Sequence, residues 1–347
     1  MRDVLEAVTA WRQAGREVAL GTVTRVWGSA PRPLGSRMAL SSAGEIAGSV
    51  SNGCVEGAVV EEAQGVLATG VPKSLAFGVS DETAWSVGLS CGGEIEVFVE
   101  KLGGELFEPL VAALTEDRLV VAVTVLSGGQ VGRRLLAFPD GRRATDLASG
   151  PLADALEGLA VEALSGLVSK RVAVTTADGS CDALVEVLLP PPQLVLVGAA
   201  HVAIPLISLA RVLGFRTVVV DPRRAFATPE RFPHADRLLV EWPAEAFAGL
   251  NLHQATAVAL LSHDLKLDVA ALVALAGQPV RYLGALGSKK THAKRVAAAR
   301  EAGVAAEELA RLHAPIGLDL GGRQPEEIAL AALAEIVAVF HGREATT

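Results

Sequence analysis

Leu194-Val-Leu-Val-Gly-Ala-Ala-His-Val-Ala203, followed by Arg216-Thr-Val-Val-Val-Asp221, decides the fold of this chain. An apolar run breaks into a turn of small residues. A helical stretch from Ile204 to Leu213 follows, and then a second apolar run ends on a carboxylate. This is the strand–turn–helix–strand opening of a dinucleotide-binding fold. Gly198, Ala199, Ala200, His201 and Val202 form the turn, whose backbone N–H groups suit a phosphate at a helix N-terminus. Asp221 follows Gly198 at close to the ~20-residue interval of the fingerprint and is placed to accept hydrogen bonds from ribose hydroxyls. Ala200 stands where the fingerprint has its second glycine, and its methyl group would push a pyrophosphate outward; Ala203 is permitted at the third.

Working outward, Pro190-Pro191-Pro192 stiffens a connector. The chain of 347 residues is long enough for two domains. The domains expected are 1–189 and 190–347. Downstream, strands are expected at 194–197, 216–220, 237–240, 256–261 and 280–284, with helices at 203–213, 266–276, 289–302 and 325–340. That alternation predicts a Rossmann-like, doubly wound parallel sheet. Upstream, helices are expected at 1–14, 54–68, 105–115 and 151–167. Strands are expected at 17–26, 45–50, 94–100, 118–126, 131–138, 170–177 and 181–189. This half reads as an α+β domain with a mixed sheet, and no repeat of fixed period is visible. The fold class expected is thus α/β, an N-terminal α+β domain with a mixed sheet followed by a C-terminal Rossmann-like doubly wound domain.

A net charge of −8 with only 4% aromatic residues argues against nucleic-acid binding. No apolar run is long enough for a membrane span, and the amphipathic Met1–Ala19 stretch does not resemble a secretory signal. Three scattered cysteines do not form a disulfide framework, so a reducing, cytoplasmic setting is expected.

The richest upstream segment is Trp27-Gly-Ser-Ala-Pro-Arg-Pro-Leu-Gly-Ser-Arg37, with Arg32 and Arg37 as forked anion donors; the alternative is a solvated loop. In Gly48-Ser-Val-Ser-Asn-Gly-Cys54-Val-Glu56, Ser51 or Asn52 is a natural N-cap. Cys54 then falls in the first turn of a helix, where the dipole favours a thiolate. The alternative is a small buried residue. Glu56 flanks the cysteine. Cys91, in Gly88-Leu-Ser-Cys-Gly-Gly-Glu94, precedes an alternating strand, and its glycines leave the sulfur open to a ligand. Cys181 opens a strand and reads as structural.

Downstream, Ser262-His263-Asp264 follows a buried strand. Adjacent residues do not make a catalytic triad, yet at a strand's carboxyl end they face the ligand crevice. His263, Asp264 and Asp268 suit a substrate or cation, with a helix cap at Asp264 as the alternative. Gly287, Ser288 and Lys289 suit a second phosphate cradle. Ala314–Arg323 is a Gly/Pro connection that either closes over the crevice or simply joins elements.

Taken together, Gly28–Met38, Gly48–Glu56 and Gly88–Glu94 resemble the N-terminal domain of the XdhC/CoxI family. Gly198–Ala203, Ser262–Asp264, Gly284–Thr291 and His313–Asp319 resemble its Rossmann domain. The likeness covers almost the whole chain in the family's order. It departs from the family at Asn52, where Gly is frequent, and at Ala200, where Gly is usual. The resemblance implies an accessory factor that binds molybdenum cofactor (molybdopterin), protects it during sulfuration and helps insert it into a molybdenum hydroxylase. It further implies a homodimer meeting a cysteine desulfurase and an apoprotein of xanthine dehydrogenase or carbon monoxide dehydrogenase type. On this reading Cys54, Cys91, Arg32, Arg37 and Glu56 serve the cofactor. A nucleotide, NAD(P) or another, would meet the Rossmann residues named above. An NAD(P)-dependent oxidoreductase and a nucleotide-sensing regulator remain alternatives.

Overall fold

The computed structural model describes residues 1–78 and 93–343. Two compact units divide the chain, Met1–Leu188 and Leu189–Thr347.

The first unit opens with α1 (Arg2–Gln13), whose Val4 and Val8 are fully buried. Then follow β1 (Val18–Trp27), β2 (Arg37–Ser41), β3 (Ile46–Gly48), α2 (Glu56–Thr69), β4 (Lys73–Phe77) and β5 (Glu94–Lys101). After α3 (Phe107–Thr115) come β6 (Val120–Val125), β7 (Arg134–Ala137), β8 (Arg143–Thr145), α4 (Pro151–Gly166), β9 (Lys170–Thr176) and β10 (Gly179–Leu188). The expected mixed sheet is instead two antiparallel five-stranded sheets, ordered β3-β2-β1-β5-β4 and β8-β7-β6-β10-β9. In each sheet the helix crosses from one edge strand to the other, so no parallel neighbour arises.

The two orders are one order written twice. Thr22 pairs with Arg37 as Thr124 pairs with Arg134. Leu20 faces Glu100 as Ala122 faces Glu186, and Lys73 faces Val99 as Lys170 faces Val185. The amides of Gly35 and Gly132 donate to the carbonyls of Val23 and Val125, both at 2.8 Å. Helices α2 and α4 both end on a left-handed residue, Gly70 and Leu167. The unit is therefore an internal duplication, one that the sequence does not display as a repeat. A fixed period is absent because the connections differ. Residues 23–36 in the first copy answer to 125–133 in the second, and 74–98 answer to 171–184.

Buried ion pairs join the two sheets reciprocally. Arg37 on β2 meets Glu186 on β10, and Arg134 on β7 meets Glu100 on β5. Between them lies a small chamber lined also by Thr22, Thr124, Phe98 and Leu184.

The second unit runs β11 (Gln193–Val197), α5 (Ala203–Val212), β12 (Arg216–Val220), β13 (Arg237–Leu239), α6 (Pro243–Ala248), β14 (Thr256–Leu260), α7 (Leu265–Leu275), β15 (Tyr282–Ala285), α8 (Lys289–Glu301), α9 (Ala306–Ala310), β16 (Leu312–His313) and α10 (Pro325–Phe340). Its six strands are all parallel, ordered β13-β12-β11-β14-β15-β16. This is the Rossmann order, with the reversal between β11 and β14. Alternate residues of β11 explain the double winding. Leu194 and Leu196 pack into the core that includes α5 and α10, and Val195 and Val197 into the core that includes α6, α7 and α8. Both faces are covered, so the central strands β11, β12 and β14 carry apolar runs, Leu194–Val197, Val218–Val220 and Ala257–Leu260.

Candidate functional site

In the first unit, two motif loops and one end of a third meet beside sheet β3-β2-β1-β5-β4. Asn52 Nδ2 donates to the Pro31 carbonyl at 3.3 Å, tying the 49–55 loop to the 28–36 loop. A Cβ on Gly93 would stand 2.7 Å from the Ser29 carbonyl carbon and 2.8 Å from the Ala30 nitrogen, so that approach admits only glycine. Cys91 and the rest of Gly88–Gly92 lie outside the described residues. Ala30 and Cys54 both pack against the core cluster beneath α2.

The 49–55 loop is organised around Glu56. Its Oε1 accepts from the Ser49 hydroxyl at 2.6 Å and from the Val50 and Ser51 amides at 3.2 and 2.8 Å. Its Oε2 accepts from the Gly53 amide at 2.8 Å and from the Ser51 hydroxyl. Burial alone would raise this carboxyl. The hydroxyls of Ser49 and Ser51, with the Ser51 amide, outweigh burial and hold the pKa down at about 2. Glu56 thus faces its own loop rather than a ligand, which corrects its expected role. Asn52 takes a left-handed backbone, φ 61°, a conformation asparagine tolerates and glycine adopts freely. That accounts for an asparagine in a place where glycine also serves.

Helix α2 begins at Glu56 with Val55 as its N-cap residue, so Cys54 precedes the helix instead of sitting in its first turn. The Ser51 hydroxyl accepts from the amides of Cys54 and Val55 at 3.0 and 2.9 Å, while Asn52 does not cap. Cys54 is half-buried. Buried Cys181 is structural, and burial raises its thiol pKa.

The two arginines separate. Arg32 is half-buried, makes a loose 3.8 Å contact with Asp3, and keeps a buried Nε with no hydrogen-bond partner. Arg37 is buried, with Nη2 donating to both Glu186 oxygens at 2.7 and 2.6 Å and Nη1 to the Gly35 carbonyl at 3.0 Å. Its expected place on a phosphate is taken by Glu186. Sequence reasoning missed Glu186, which lies 149 positions away.

In the second unit, Gly198 has φ 102°, and a Cβ there would meet the Ser262 nitrogen at 2.8 Å. The turn after β11 and the loop after β14 therefore touch at the topological switch point. Ala199 and Val202 are buried, His201 is exposed, and Ala200 packs against the core cluster. Asp221 is fully buried. Its carboxylate accepts from the Ala199 amide at 2.7 Å, and from the Arg223 amide, Nε and Nη2 at 2.9, 2.9 and 2.7 Å. Burial would raise its pKa; the Arg223 guanidinium and the two amides lower it. A carboxylate enclosed in this way closes the turn, so the expected ribose contact gives way to Arg223. That residue was missed, although the charged run Asp221-Pro-Arg-Arg224 pointed to it.

His263 is exposed. Asp264 caps α7, accepting from the Lys266 amide at 2.9 Å. Asp268 is withdrawn into a buried network, taking the Ser262 hydroxyl at 2.7 Å and Arg295 at 2.8 Å, so it is not an open cation ligand. Ser288 caps α8 by accepting from the Thr291 amide at 3.2 Å; Gly287 precedes it and exposed Lys289 opens the helix. Helices α5, α7 and α8 thus all start at carboxyl ends of parallel strands, a setting that favours anions. Among the described residues no His/Cys/Asp/Glu group could hold a metal ion, and no helix is long and apolar enough to cross a membrane.

Residues 11–78 match the family described as XdhC and CoxI family, and residues 194–336 match the XdhC Rossmann domain. A Bacillus subtilis (strain 168) protein, named as a probable subunit of xanthine dehydrogenase, is 26% identical, with 92% of each chain covered. The Escherichia coli (strain K12) molybdenum cofactor insertion chaperone PaoD is 28% identical over 97% of this chain and 88% of its own. A crystal structure titled a xanthine dehydrogenase, from Bacillus halodurans, shares the fold with a TM-score of 0.74. It is 24% identical, and the match covers 99% of this chain and 97% of that one.

Proposed function

Since the chain belongs to the XdhC/CoxI family, we propose that it is an accessory factor that carries molybdenum cofactor to a molybdenum hydroxylase apoprotein. The observation that carries this reading is its near full-length similarity to a molybdenum cofactor insertion chaperone. Clients of xanthine dehydrogenase or carbon monoxide dehydrogenase type, a cysteine desulfurase that sulfurates the cargo, and a homodimer belong to the same proposal.

The residues fit such a cargo. Molybdenum cofactor is a pterin dithiolene with a terminal phosphate, and it supplies a soft metal–sulfur centre. The half-buried Cys54 thiol suits that end. Arg32, with an unpartnered buried Nε and only a loose acidic neighbour, suits the phosphate. Cys91 belongs to the same proposal through its motif. Glu56 and Arg37 support the loops instead of touching cargo.

A second reading concerns the Rossmann unit, where the strand order and three helix N-termini at one sheet edge favour a bound nucleotide, NAD(P) or another. His201, His263, Arg223, Ser288 and Lys289 would line it. Purification after coexpression with the cofactor-synthesis enzymes, followed by assays of molybdenum, pterin and nucleotide, tests both readings. Pterin and molybdenum on the wild type, reduced in Cys54→Ser with the fold intact, is the expected result. Nucleotide with neither overturns the first reading and leaves the second.

A further inference from the structure

The duplication supplies a control that a single-copy fold lacks. Arg37–Glu186 and Arg134–Glu100 are mates under the internal repeat. In each, an arginine at the start of one copy's second strand reaches a glutamate on the last strand of the other copy. Their burial is alike, with side chains 7% and 6% exposed in the first pair and 14% and 6% in the second. The two arginines differ in the segment that precedes each. Residues 125–133 close a short hairpin before Arg134. Residues 23–36, before Arg37, carry the longer loop that holds Arg32 and receives the Asn52 hydrogen bond.

Arg37–Glu186 also grips the end of that loop. Arg37 Nη1 donates to the Gly35 carbonyl, and Glu186 Oε1 lies 3.1 Å from where a Gly35 Cβ would stand. Buried pairs of this kind contribute little net stability compared with apolar replacements. Joining the sheets therefore does not by itself require the pair to be ionic.

We infer that Arg37 and Glu186 are positioning residues that hold the 28–36 loop against the Ser49–Cys54 segment, whereas Arg134 and Glu100 only join the sheets. The consequence for cargo rests on the cofactor reading above; the consequence for the loop does not. Two double variants separate the roles, Arg37→Met with Glu186→Leu, and Arg134→Met with Glu100→Leu. Neither leaves an unpaired buried charge, so both are expected to fold, with similar shifts in thermal midpoint.

Retention of molybdopterin should fall about tenfold or more in the first variant, the scale of lost outer-shell support, and stay at the wild-type level in the second. Amide exchange across 28–36 should rise in the first variant alone. The charge-reversed Arg37→Glu with Glu186→Arg should recover part of both. Equal exchange across 28–36 in the two doubles, or equal loss of molybdopterin tracking the thermal midpoints, overturns the inference. A wild type that retains no molybdopterin refutes the cofactor reading, and exchange still decides the positioning role.

Discussion

Replacing Glu56 by glutamine should loosen the loop that presents Cys54. Five donors converge on this carboxylate, three on Oε1 and two on Oε2, and no lysine or arginine is among them. A glutamine keeps one oxygen and turns an NH2 group toward donors, so at least two hydrogen bonds become donor–donor contacts. The folded carboxyl sits at about 2 against an ordinary 4.5. That gap corresponds to about 3 kcal/mol at most, and solvent screening of a half-exposed group reduces it to about 1–2 kcal/mol. The sign follows from a depressed folded pKa. The contribution is complete above the unfolded value, near 4.5, and disappears as pH falls through the folded value near 2. Urea unfolding at pH 7 should place the Glu56→Gln variant about 1–2 kcal/mol below wild type, and the difference should shrink toward pH 3. Cys54 should also react faster with a disulfide reagent at constant pH. Equal stability at pH 7, or a difference that does not diminish on acidification, would refute the reasoning.

Other outcomes follow from single contacts. Arg295→Met leaves the buried Asp268 carboxylate without its cation and should cost about 3–5 kcal/mol in thermal or urea unfolding; pairing it with Asp268→Leu should restore most of that. Gly198→Ala places a methyl 2.8 Å from the Ser262 nitrogen at φ 102°, and a loss of about 2 kcal/mol or more should appear as a lowered Tm. The chain's single tyrosine, Tyr282, is buried and donates to Glu335, and burial first, then that carboxylate, raises its pKa. Absorbance at the phenolate wavelength should therefore stay flat with rising pH until the second unit unfolds, and a phenolate signal in the intact fold would contradict this.

How far the sequence reveals the structure differs between the halves, for physical reasons. Parallel strands buried on both faces read as apolar runs, so β11, β12 and β14, with helices α5 and α7, stand out in the residue pattern. The short elements α6, of six residues, and α9, of five, present too little periodicity to be seen. Strand β2 is hidden because it starts with an arginine, and burial of Arg37 depends on Glu186 in the other copy. Edge strands β4, of five residues, and β8, of three, contain no fully buried side chain and are too short for a clear alternation. The duplication is hard to see because unequal connections erase any period. Site loops are legible from their glycines and cysteines, yet the roles of their charged residues are not. Glu56, Arg37, Asp221 and Asp268 all carry chemistry-bearing side chains, and all four are occupied by local or distant hydrogen bonds that composition does not reveal.

Whether the loops beside Cys54 hold molybdenum cofactor is tested most directly by anaerobic titration with molybdopterin. The purified wild-type chain and its Cys54→Ser variant are compared, reading bound pterin per chain after gel filtration. About one pterin per wild-type chain and markedly less on the variant is the predicted result. Equal retention by both, or none by the wild type, contradicts it.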